Sequence, residues 1–228
     1  MKALPLLCSL VVLLSLWGCK NSDHPQAAVN VLSESPKILL LGNFLTDAEC
    51  EALKAKAEPH LARSTVVNDG APGSAIHNAR TSRGMFITDE LRDPLVATIE
   101  KRIEKLTNIP VEHGEAIQVV NYGTGQEYRP HFDYFDKLAA GGADCLANGG
   151  QRLVTVIMYL HTTDNGGETI FPELNIKVKP QKGSALVFYN CPPNGEVDPR
   201  TLHGGAPVAS GEKWIATKWL RAETLRKP

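Results

Sequence analysis

The hydrophobic period of the chain changes at Pro110, and that change limits the folds open to it. Ahead of Pro110, apolar residues recur at helical spacing. Thr46-Asp47-Ala48-Glu49 reads as a capping box opening a helix that reaches about His60. Asp93-Pro94 supplies an N-cap with proline at the first helical position, and Leu95, Ile99, Ile103 and Leu106 then keep one apolar face through Thr107. Beyond Pro110 the runs 117–122, 153–160, 176–178, 185–189 and 214–220 are short, β-rich and separated by Gly, Pro and Asn turns. An apolar strand-like run at 38–41 precedes the first helix. Helices first and many short strands afterwards predict an α+β, mainly β domain: a double-stranded β-helix, or jelly roll, with the N-terminal helices packed on one sheet. Residues 68–79 read as a loop, and 136–150, the longest irregular stretch of the strand region, as a mobile lid or rim.

A chain of 228 residues accommodates one domain with a real core, and a formal net charge of -1 sets up no field that would draw in nucleic acid. Its start reads as a targeting segment. Lys2 is followed by an apolar stretch over 3–17 that falls short of the ~20 residues a bilayer span needs. Leu16-Trp17-Gly18-Cys19, then Lys20-Asn21-Ser22-Asp23, resembles a bacterial lipoprotein signal in which Cys19 becomes the lipidated first residue. The expected organisation is therefore a signal segment 1–19, a polar tether 20–36 and a domain 37–228. The expected location is the bacterial periplasm or outer membrane, with membrane attachment through the N-terminal lipid. Cleavage by an ordinary signal peptidase and retention as an anchor stay open, as do the endoplasmic reticulum lumen and secretion.

His131-Phe132-Asp133 sets an imidazole and a carboxylate two residues apart, so on an extended strand both leave the same face and can converge on one ion. His203 would complete the set. Two histidines and one carboxylate leave three positions of an iron open, the number that a bidentate oxo acid and dioxygen require. Zinc hydrolases use similar ligands, so the triad alone does not choose between them. Ten residues on, Lys213 begins a Trp-flanked strand, and an ammonium on an inward-facing strand position needs an anion.

Six ordered motifs surround these residues. They are Asn121-Tyr122-Gly123-Thr124-Gly125-Gln126-Glu127-Tyr128-Arg129-Pro130-His131-Phe132-Asp133, Gly149-Gly150-Gln151-Arg152, Met158-Tyr159-Leu160, Gly166-Gly167-Glu168-Thr169-Ile170-Phe171-Pro172, Pro180-Gln181-Lys182-Gly183-Ser184-Ala185, and His203-Gly204-Gly205-Ala206-Pro207-Val208 with Gly211-Glu212-Lys213-Trp214. In order and spacing they resemble the catalytic domain of prolyl 4-hydroxylases, from about Ile38 to Leu220. The resemblance implies an iron(II)- and 2-oxoglutarate-dependent dioxygenase, with ascorbate as reductant, that hydroxylates a proline in a peptide or protein at ring carbon 4, releasing succinate and carbon dioxide. It implies His131, Asp133 and His203 as catalytic metal ligands. Lys213, helped by the hydroxyls of Tyr122 and Thr169, would hold 2-oxoglutarate. Tyr128, Arg152 and Trp219 would line the substrate side, and the loop from Arg80 to Arg83 would close over the peptide, with Arg83 reaching it.

One departure bears on substrate. Relatives commonly carry histidine two positions after the second tryptophan of the final strand, where this chain has Arg221. Hydroxylation of a free amino acid or other small molecule on the same iron centre remains open, as does, from a different class, an inactive jelly-roll binding protein. Of the five cysteines, Cys8 and Cys19 belong to the signal, and no CxxC spacing offers a zinc site among Cys50, Cys145 and Cys191. Cys50 reads as a buried apolar residue, while Cys145 and Cys191, in polar loops flanking the site, are the pair that a disulfide would join in an oxidising compartment, and whether it forms stays open.

Overall fold

The computed structural model describes residues 28–64, 66–67, 74–75, 79–139, 141–191 and 196–225. The signal segment with Cys8 and Cys19, and most of the loop expected at 68–79, lie outside them. Both expected helices form where their caps stand. Thr46 Oγ1 accepts from the Glu49 amide at 3.2 Å while Glu49 Oε2 accepts from the Thr46 amide at 2.8 Å, opening the helix Asp47–Ala57. Asp93 Oδ1 accepts from the Val96 amide at 3.0 Å and opens the helix Pro94–Thr107, which stops at Asn108 in the left-handed conformation.

Eight antiparallel strands make one sheet, in the order Val29–Glu34, Lys37–Leu41, Ala185–Tyr189, Arg152–Tyr159, Lys213–Arg221, Gln118–Tyr122, Arg83–Phe86 and Ala62–Arg63. A second sheet of four has the order Ile176–Val178, Thr169–Phe171, His203–Gly205 and Tyr128–His131. The central strands of the large sheet, among them Ala185–Tyr189 and Arg152–Tyr159, are buried on both faces, which is why they read as near-continuous apolar runs. Val154, Val156, Met158, Val187 and Ala216 meet Cys50, Leu53, Val96, Ile99 and Ile103 of the helices. Their alternates Ile157, Tyr159, Leu186, Phe188 and Ile215 face inward with Phe171 and Val178 of the small sheet. Period-two alternation thus sends 155, 157 and 159, and 213, 215 and 219, into the space between the sheets. Lys218, on the opposite face, meets Glu100 of the second helix at 2.6 Å, and both side chains are buried.

Several expectations need correction. The strand Val29–Glu34 lies inside the stretch read as tether, where it pairs with Lys37–Leu41 and extends the large sheet. Within the stretch read as irregular, Gly142–Ala147 is a short helix. Arg221 donates to the carbonyls of Cys145, Asn148 and Gly150 there, which makes the segment a fastened rim. Cys145 and Cys191 are not bonded to each other. Both are free thiols, the Cys191 sulfur lies 3.7 Å from the Arg152 carbonyl, and burial pushes its pKa up to about 11.

Candidate active site

Antiparallel pairing of His203–Gly205 with Tyr128–His131 sets His203 directly across from His131. The strand ends at His131, so Asp133 lies in the bend beyond it rather than on an extended strand, yet its carboxylate still turns to the same side. His131 Nε2 is 3.7 Å from Asp133 Oδ1 and His203 Nε2 is 3.5 Å from Asp133 Oδ2, and ligand atoms of all three residues lie within 4.8 Å of one another. Each imidazole is fixed through its other nitrogen. His131 Nδ1 meets the Arg129 carbonyl and His203 Nδ1 the Thr201 carbonyl, both at 2.9 Å, which places the proton on Nδ1 and the lone pair on the inward Nε2. Burial above all holds His131 far below the ordinary imidazole range, so it is neutral and able to ligate. Burial also opposes ionisation of Asp133, but His203, His131 and Arg152 outweigh it and keep the carboxyl below the usual range.

The bend is braced from the large sheet. Arg152 Nε and Nη2 grip the two carboxylate oxygens of Glu115 at 2.7 Å each, and Nη1 reaches the Asp133 carbonyl at 3.3 Å. Its guanidinium lies 4.2 Å from the Trp219 ring centre and 4.7 Å from that of Phe135. Gln151 accepts from the Phe135 amide at 2.7 Å and donates to its carbonyl at 2.8 Å. Thr155 donates to Asp133 Oδ2 at 2.8 Å. Phe188 and Phe171 pack on the His203 ring at 4.6 and 5.7 Å.

At the other end stands Lys213, only 2 % exposed and, among the described residues, with neither an ion pair nor a hydrogen bond. Burial lowers its pKa to about 8, with Glu168 opposing. The ammonium lies 5.4 Å from the ring centre of Tyr122, its cross-strand neighbour. Thr169 pairs with Gly205 across the small sheet and accepts from the Tyr159 hydroxyl at 2.8 Å, leaving its own proton to donate. A methyl group on Gly205 would sit 3.3 Å from Lys213 Nζ, so the missing side chain keeps open the space between the ammonium and His203. A buried cation without an anion, facing a two-imidazole, one-carboxylate donor set across a gap lined by hydroxyls, fits a dicarboxylate that chelates a divalent metal.

The expected residues divide by position. Tyr128 stacks on His131 at 3.6 Å, and Trp219 and Arg152 lie at Asp133. Arg83 does not join them. It pairs opposite Asn121, on the face away from Tyr122, and donates to the Leu61 carbonyl at 2.9 Å. The arginine of that segment that does reach the site is Arg80, 4.9 Å over the Tyr128 ring and bonded to Gln118 at 2.9 Å. Sequence reasoning missed Glu115, Thr155, Tyr159 and Asn190. Thr155, the one hydroxyl in the apolar run 153–158, was the available signal, and Glu115 had none.

Comparison with known proteins bears on this geometry. Residues 117–221 match the family model of the 2OG-Fe(II) oxygenase superfamily. Prolyl 4-hydroxylase 5 of Arabidopsis thaliana is 42% identical over 218 residues, covering 87% of this chain and 72% of that protein. Prolyl 4-hydroxylase 1 of the same plant is 45% identical over 207 residues, covering 84% and 71%. Among solved structures, the 2OG complex of the viral collagen prolyl hydroxylase from Paramecium Bursaria Chlorella virus-1 superposes with a TM-score of 0.62 at 30% identity, over 81% of this chain and 96% of that one.

Proposed function

Because the chain belongs to the prolyl 4-hydroxylases of the 2OG-Fe(II) oxygenase superfamily, and so is an iron(II)- and 2-oxoglutarate-dependent dioxygenase, we propose that it hydroxylates carbon 4 of a prolyl residue in a peptide or protein. The observation that carries the reading is the unpaired ammonium of Lys213 facing the His131, Asp133 and His203 ligand atoms across the gap at Gly205. Prolyl chemistry comes from the two plant relatives and the viral enzyme, whose names state it.

In this reading His131, Asp133 and His203 hold the metal, their Nδ1 bonds keeping both imidazoles in the ligating tautomer. Bound iron(II) with 2-oxoglutarate supplies the oxidising chemistry, consuming dioxygen and releasing succinate and carbon dioxide. Lys213 neutralises the distal carboxylate, and the hydroxyls of Thr169 and Tyr122 donate to it. Phe171 and Phe188 keep water from the His203 side. Tyr128, Trp219 and Arg152 form the substrate side. The Trp219 ring, held against Arg152 by the grip of Glu115, offers an apolar surface to a pyrrolidine, and Tyr128 is fixed by stacking on His131 and by Arg80 over its ring. Ascorbate serves as reductant, and the domain is exported and tethered to a membrane through lipidated Cys19, a reading that rests on the N-terminal residues alone.

A coupled 2-oxoglutarate turnover assay with proline-containing peptides, read by mass spectrometry for an added oxygen, tests the proposal. Wild type should add one oxygen to the prolyl ring and His131→Ala none. Substrate-stimulated succinate release with no oxygen on proline would move the target elsewhere. Mass analysis of the mature N-terminus tests lipidation, and an unmodified terminus at another residue removes that part.

A further inference from the structure

Asn190 follows the strand Ala185–Tyr189 and is wholly buried, with its backbone fastened on both sides. Its amide donates to the Leu153 carbonyl at 2.8 Å, and its carbonyl accepts from the Asp198 amide at 2.9 Å. Its side chain neither caps an element nor joins an ion pair. Instead Nδ2 lies 3.0 Å from Thr155 Oγ1, which is itself 2.8 Å from Asp133 Oδ2, and Thr155 is also wholly buried. Among the described residues the Asn190 Oδ1 atom has no hydrogen-bond partner.

The direction of this chain follows from what each group can do. An ionised carboxylate only accepts, so the single hydroxyl proton of Thr155 goes to Asp133. With that proton spent, Thr155 can only accept from Asn190, and the amide must turn its NH₂ toward the hydroxyl. The cost of that orientation is visible at the other end of the amide, where Oδ1 is left unsatisfied in the interior. A residue serving packing alone would not be kept with an orphaned acceptor, since an apolar side chain of the same size avoids it.

We propose that Asn190 is a positioning residue for the metal site: acting only through Thr155, it fixes which way the Thr155 hydroxyl points and so holds the Asp133 carboxylate in its ligating orientation. The proposal rests on the reading of Asp133 as a metal ligand. Position in the fold explains why this pair does the work. Thr155 stands on a central strand opposite both Phe188 and Trp219, and so projects from the rigid floor of the large sheet toward a ligand that sits in a bend. An outer-sphere partner of a ligating carboxylate typically affects metal affinity by about 10–100-fold.

The test is Mn(II) affinity of the metal-free domain, measured by isothermal titration and by the electron paramagnetic resonance signal of free Mn(II). Thr155→Val should weaken binding by about 10–100-fold, and Thr155→Ser should restore it to the wild-type value. Asn190→Leu should weaken it as well, by no more than the ~10–100-fold of Thr155→Val, and the double variant Asn190→Leu/Thr155→Val should bind no worse than Thr155→Val alone, since Asn190 has no second route to the metal. Additive losses, or wild-type affinity in folded Thr155→Val or Asn190→Leu, overturn the proposal. Asp133→Ala is the control for the reading beneath it. Wild-type Mn(II) affinity in that variant would remove the metal site itself, whereas its loss alongside unchanged Thr155 and Asn190 variants removes only the relay.

Discussion

Replacing Lys213 with methionine should move the stability of the metal-free protein and its binding of co-substrate in opposite directions. The ammonium is buried, and burial lowers its pKa from an ordinary 10.5 to about 8. At about 1.36 kcal/mol for each tenfold change in a proton equilibrium, that displacement corresponds to about 3 kcal/mol. Below pH 8 the folded protein carries the buried charge, so the penalty is present in full at pH 7. Between pH 8 and 10.5 the folded protein has released the proton while the unfolded chain keeps it, and stability rises with pH across that window. Methionine has a similar length and no charge, so Lys213→Met should gain up to about 3 kcal/mol at pH 7, or roughly 6–12 °C in midpoint for a domain of this size. Co-substrate should act the other way. Mn(II) with 2-oxoglutarate at a hundredfold excess over its Kd stabilises the wild type by about 2.7 kcal/mol. The variant should show no response to 2-oxoglutarate, because a carboxylate would be buried against an apolar side chain. Thermal unfolding by circular dichroism at pH 7, in chelator, in Mn(II), and in Mn(II) with 2-oxoglutarate, reads both effects. A variant less stable than wild type in chelator, or one that keeps the wild-type response to 2-oxoglutarate, refutes the account of Lys213.

The same group predicts that 2-oxoglutarate affinity is level between pH 7 and 8 and then falls by up to about tenfold per pH unit, because binding must take up the Lys213 proton. Titration calorimetry in buffers of different ionisation enthalpy measures that uptake, and constant affinity up to pH 9.5 contradicts it. Gly205→Ala places a methyl 3.3 Å from Lys213 Nζ and should raise KM for 2-oxoglutarate about tenfold or more while leaving Mn(II) affinity intact; an unchanged KM means the co-substrate does not pass there. Lys218→Met removes one of two cations from the buried Glu100 carboxylate, which it meets at 2.6 Å while Arg92 keeps the other oxygen, and should cost about 1.5–3 kcal/mol in urea unfolding; a loss below about 1 kcal/mol would show that the pair contributes little.

Much of the fold was legible because its signals are local. Thr46 with Glu49, and Asp93 with Pro94, define helix starts within one turn of chain, and both helices begin where those residues stand. Runs 176–178 and 185–189 carry their strand character in their own residues, and the structure has strands with those same bounds. Strands such as Arg83–Phe86 and His203–Gly205 escaped notice because they are short and polar or glycine-rich, and they exist because a neighbouring strand supplies their hydrogen bonds. Arg83 illustrates the limit for the site. Its distance along the chain from Arg80 says nothing about which face of a paired strand it occupies, and its pairing with Asn121 turned it away.

The sequence by itself determined the chemistry available: two imidazoles, a carboxylate and a lysine within ordered motifs, and a run of residues 153–160 whose period of two commits one set of side chains to each face. Only the tertiary structure decided how those groups meet. Strand pairing brought His203 across from His131, left Lys213 buried without an anion beside an empty Gly205, and aimed Thr155 and Asn190 at Asp133. The reason is that spacing along a chain fixes direction over a few residues. The approach of distant strands is fixed by register and by burial of both faces of a sheet, which no short stretch of sequence contains.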